Sequence, residues 1–70
     1  MDYVIVIERA VDGTYSAYVP DLPGCVSTGE TLEELHDNIA EAVQGHIESL
    51  RETGQPVPPP SVKTSTVHAA

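Results

Sequence analysis

The run Tyr3-Val4-Ile5-Val6-Ile7-Glu8-Arg9-Ala10 is β-branched and aromatic, which predicts a strand with Tyr3, Ile5 and Ile7 on one face and Val4, Val6 and Glu8 on the other. Asp12-Gly13 follows, a dipeptide suited to a type I′ hairpin, so the next run, Thr14 to Pro20, reads as an antiparallel second strand. In it Tyr15, Ala17 and Val19 alternate with Ser16 and Tyr18, until Pro20 removes a ladder donor. Beyond the corner Pro20-Asp21-Leu22-Pro23-Gly24, residues 25 to 29 suit a short third strand ended by Gly29.

The period then changes from two to 3.6. Thr31 and Glu34 form a capping box, and a helix is expected from about Leu32 to Thr53, stopped by Gly54. Leu32, Leu35, Ile39, Ala42, Val43, Ile47 and Leu50 fall in one stripe, with Glu33, Glu34, Asp37, Glu41, Glu48 and Glu52 opposite. The class is therefore α+β: a three-stranded antiparallel sheet packed by one long helix. The division expected is a folded unit over residues 1–55 and a proline-rich connector with a strand or tail over 56–70. Residues 61–67 are rich in β-branched side chains and read equally as a fourth strand, on this sheet or a neighbour's, or as a frayed end.

Charge narrows the function. Asp and Glu outnumber Lys and Arg by 11 to 3, a formal charge of −8, which opposes binding to a phosphate backbone and suits either a basic protein partner or plain solubility. Seventy residues with one cysteine bury a thin core, so self-association into a homodimer or tetramer is expected. No apolar run approaches the ~20 residues that span a membrane, and with no signal-peptide pattern the chain reads as cytoplasmic.

Catalytic and metal chemistry find little support. Cys25 would need an imidazole within reach to act as a nucleophile, and reads more simply as a small buried hydrophobe. His36 and His46 fall within the apolar stripe, about 80° apart and ~15 Å along the axis, too far to share one ion. The helix acids spread along a line instead of converging as a two-metal nuclease requires. No cofactor is implied.

The stretches Tyr15 to Tyr18, Val19-Pro20-Asp21-Leu22-Pro23-Gly24-Cys25 and Gly29-Glu30-Thr31, with the prolines after the helix, resemble the N-terminal domain of HicB-like antitoxins over residues 3 to about 61. The resemblance implies a partial RNase H-like fold without catalysis, which binds a small basic RNA-cleaving HicA-type toxin and blocks its active site. Many such antitoxins carry a C-terminal DNA-binding segment. Nothing after Pro60 reads as one, so no direct binding to nucleic acid is expected. Partner contacts are expected at Asp21 and Leu22, held in a rigid corner, and at Glu33, Asp37 and Glu41 on the helix. A solitary oligomeric scaffold and an RNase H-derived nuclease are the alternatives.

Overall fold

The alternating run at residues 15–18 becomes the centre of the sheet. In a computed structural model describing all 70 residues, β1 (Val6–Arg9), β2 (Tyr15–Tyr18) and β3 (Val26–Gly29) are antiparallel in the order β1-β2-β3, followed by α1 (Leu32–Glu52). Ile7, Ala17 and Ser27 lie opposite one another, as do Val6, Tyr18 and Val26. Side chains alternate across the pleat, so the first row shares the helix side with buried Ala17, and the second lies on the open side.

The ladder begins at Val6 and not at Tyr3. Val6 pairs with Tyr18, the last residue of β2, and at Val19 the chain turns into the proline corner, so residues 3–5 have no strand opposite them. The hairpin also differs from a type I′ turn. Type I′ needs positive φ at two central residues. Only Gly13 (φ +91°) has it; Gly13 N–H donates to Ala10 O (3.0 Å) and Ala10 N–H to Thr14 O (2.8 Å), which closes a three-residue loop. Asp12 braces that loop by accepting from the Thr14 N–H (3.0 Å) and hydroxyl (2.7 Å).

Helix α1 starts and stops where its caps place it. Thr31 has extended backbone and its hydroxyl accepts from the Glu34 N–H (3.0 Å), while Glu34 reaches back to the N–H of Glu30 (3.3 Å), one residue earlier than a standard capping box. At the other end Gly54 (φ +72°) donates to Arg51 O (3.2 Å) and Gln55 N–H to Leu50 O (2.8 Å), the paired bonds of a Schellman motif.

The helix lies over β3 and β2 and leaves β1 beside it. Leu35 and Ile39 bury against Ala17, Val19, Leu22 and Cys25, with Tyr3, Ile5, Tyr15, Ala42, Val43 and Ile47 packed around them. Leu32, expected in the stripe, is 53% exposed and takes no part in this cluster, which α1 enters at Leu35. Ile7 is 45% exposed, since no helix lies above β1. Gly29 sets how closely helix and sheet approach: a Cβ there would sit 2.5 Å from Leu35 N and 2.8 Å from Leu35 Cα.

After α1 the proline segment folds back. The Tyr3 hydroxyl donates to Pro58 O, and Ser61 and Val62 dock on Asp21. A fourth strand does not form on this sheet; residues 61–70 have no regular secondary structure and are exposed throughout. Their side chains are largely polar, and the Asp21 contact holds only the first two.

Candidate partner-binding surface

The corner after β2 is closed by its own backbone. Leu22 N–H donates to Val19 O, Cys25 N–H to Leu22 O and Val19 N–H to Cys25 O, at 3.0–3.1 Å. Gly24 supplies the positive φ (+86°) the turn needs. The amides of Val19, Leu22 and Cys25 are therefore paired within the loop itself.

Leu22 was expected to offer itself to a partner, and the structure corrects this: it is fully buried at 0% exposure. The tight corner folds the leucine under itself, where it joins Val19 and Leu35 in the core. Its neighbour Asp21 is half-buried and already engaged. Asp21 Oδ2 accepts from the N–H groups of Ser61 (2.9 Å) and Val62 (3.1 Å), and Oδ1 from the Ser61 hydroxyl (2.6 Å). These bonds, the Ser61 hydroxyl foremost, favour the ionised form and hold the carboxyl below its ordinary value. Asp21 thus ties the segment after the prolines to the corner.

Glu33, Asp37 and Glu41 are exposed on α1. Four-residue spacing sets successive members ~6 Å apart along the axis on one face. Glu41 borders a shallow cleft with Ser27, Asn38 and Ala42, where Asn38 Nδ2 donates to Thr28 O (2.9 Å) and fastens helix to sheet. Three like charges in a row give that face a negative field suited to Lys and Arg side chains.

The other candidates separate. Cys25 is buried, and burial pushes its thiol up, away from the thiolate a nucleophile needs. His36 is exposed, outside the core stripe in which its spacing placed it, and borders a groove between residues 1–5 and α1 with Tyr3, Ile5, Ile39 and Val43. His46 is half-buried. No three His, Cys, Asp or Glu side chains come together as a metal-holding set. No helix is long and apolar enough to cross a membrane.

The long-range ties Tyr3–Pro58 and Asp21–Ser61 were missed by sequence reasoning, because each joins residues 40 or more positions apart. A carboxylate beside a turn and a serine after prolines carry no local sign of each other.

A sheet of three antiparallel strands under one capped helix, strapped by a proline segment, defines a small one-helix α+β domain. The chain belongs to the HicB-like antitoxin family: residues 3–69 match the profile described as HicB_like antitoxin of bacterial toxin-antitoxin system. It is 41% identical to the UPF0150 protein Ta0767 of Thermoplasma acidophilum over 69 residues, which is 99% of this chain and all of that protein. The fold is similar to that of a chain in the HicA3 and HicB3 toxin-antitoxin complex, with TM-score 0.73 and 39% identity over 86% of this chain and 70% of that one. It is similar also to the N-terminal domain of the Burkholderia pseudomallei antitoxin HicB, with TM-score 0.75 and 36% identity over 89% and 73%.

Proposed function

We propose that this protein is an antitoxin that binds and neutralises a small basic RNA-cleaving toxin of the HicA type. The observation that carries this reading is the likeness, at 39% identity, to a chain solved as part of a HicA3 and HicB3 toxin-antitoxin complex. Charge supports it: a body of net charge −8 attracts a basic protein and speeds its docking. The exposed row Glu33, Asp37 and Glu41 is the surface we assign to that attraction, with Asp21 acting indirectly by holding the strap in place. The protein itself performs no bond-breaking in this reading. It assembles with copies of itself, since a core of six buried hydrophobic side chains is small for a free-standing domain.

The test is co-expression with a small basic HicA-type protein, followed by pull-down and an RNA-cleavage assay. A stable complex and suppressed cleavage are expected. Separate elution with undiminished cleavage would rule out that pair.

A further inference from the structure

We propose that two copies of this chain pair antiparallel through the free edge of β1, about a two-fold axis at Val6, to make one continuous six-stranded sheet. This deepens the self-association proposed above by naming its edge and register.

The two edges of the sheet are unlike. β3 is packed by α1, whose Asn38 takes the Thr28 carbonyl, and its end at Gly29 lies against Leu35. β1 has no helix over it, and only the residues leading into it, Tyr3 and Ile5, pack beside α1 with their side chains. Exposed strand edges are ordinarily blunted by Lys, Pro, a bulge or a covering element. From Tyr3 to Ile7 this edge has no charge and no proline.

Backbone direction follows from the hairpin. Ala10 N–H bonds Thr14 O, so Ala10 faces β2, and the two-residue period makes Glu8 and Val6 face it too, opposite Ser16 and Tyr18. Ile7 and Arg9 therefore point their N–H and C=O outward, and Ile5 and Tyr3 continue the same period. No backbone bond within the chain involves residues 1–5 outside the strand ladder, which begins at Val6.

Symmetry, charge and the extent of the strand select the register: centring on Ile7 would set Tyr3 against Val11, which lies in the hairpin loop beyond β1. A two-fold axis perpendicular to the sheet keeps each residue on its own face, so residues that meet must both be odd or both be even. Centring on Ile5 would set Asp2 against the second copy's Glu8, like charges directly opposite, which is destabilising. Centring on Val6 instead sets Ile5 against Ile7, Tyr3 against Arg9 and Val4 against Glu8. The outward groups of the Ile5–Ile7 and Tyr3–Arg9 pairs then exchange about eight backbone hydrogen bonds across the junction. Arg9, which already lies 5.6 Å from the Tyr15 ring centre, gains the Tyr3 ring on the same side of the sheet. Half-exposed Ile7 gains Ile5 as a neighbour.

The experiment is sedimentation of the full chain combined with disulfide trapping. The parent should sediment as a dimer or a multiple of it. Ile7→Pro removes an outward N–H that the chain's own ladder does not use, and should halve the mass while keeping the helical circular dichroism. Val6→Cys places two thiols across the axis, with Cα atoms ~4.5 Å apart, and should form a covalent dimer on mild oxidation. Glu8→Cys on the same strand should not. Buried Cys25 makes the parent chain the control.

A monomeric parent would overturn both the self-association and this edge. A multimer in which Val6→Cys fails to cross-link, or which dissociates only when residues 62–70 are removed, would overturn the edge alone. Should Ile7→Pro fail to fold, the Val6→Cys and Glu8→Cys pair still decides the matter.

Discussion

Asp21 and Ser61 are joined by two hydrogen bonds, from the serine N–H and from its hydroxyl, across 40 residues of chain. With the neighbouring Val62 N–H they make one carboxylate the anchor of the segment that follows the prolines. Asp21→Ala should release that segment while leaving the helix intact. Amide exchange at Ser61 and Val62 should rise to the rate of an open chain, with amides in the middle of α1 unchanged. Protection that survives the substitution would show that the prolines alone hold the strap.

The same anchor gives a pH dependence of definite sign. Because the folded carboxyl is held below its ordinary value of 3.8, the docking contribution is complete above that value. It is lost as pH falls through the lowered folded value. An acid titration followed by NMR should therefore show Ser61 and Val62 moving together with the Asp21 carboxyl. Asp21→Asn should abolish that step.

Gly29→Ala should be among the more damaging single-methyl changes in the chain. The added Cβ would meet backbone atoms of Leu35 at 2.5 and 2.8 Å, and backbone cannot rotate aside. Overpacking of this kind costs about 1–3 kcal/mol, read as a lower midpoint in urea with little change in slope. An unchanged midpoint would mean that the helix start can lift from the sheet freely.

Leu22→Ala separates core from contact. The side chain is fully buried, so the change should destabilise the fold by about 2–5 kcal/mol. Toxin affinity, measured well below the melting temperature, should stay near that of the parent. Loss of affinity without loss of stability would return Leu22 to the partner surface.

Removing charge from the helix row should act on encounter. The combined change Glu33→Gln, Asp37→Asn and Glu41→Gln should slow association with a basic toxin about tenfold at low salt and flatten its salt dependence. The fold should hold or gain slightly, because like charges four residues apart repel. Association kinetics independent of these three residues would move the docking surface elsewhere.

What could be read from the sequence was what neighbouring residues settle among themselves. Thr31, Glu34 and Gly54 bound the helix because a cap is satisfied within one turn, and Leu35 and Ile39 reach the core because helical period places them there. Asp12-Gly13 marked the turn correctly but not its form, since loop length depends on which residues close the pair. The Ile7 exposure and the burial of Leu22 depend on where α1 comes to rest, a matter of tertiary packing. Of the candidate contacts, Glu33, Asp37 and Glu41 are presented outward, whereas Asp21 is spent on the chain's own strap.

The helix resting over two strands of three leaves the sheet lopsided. Widening it at β1 would displace no buried side chain, so a newcomer could join that margin while the interior stayed as it is. Growth and integrity are thereby decoupled along the exposed residues Ile7 to Arg9, where the perimeter can be rewritten by substitution, whereas Tyr3 and Ile5 beside them help keep the molecule folded.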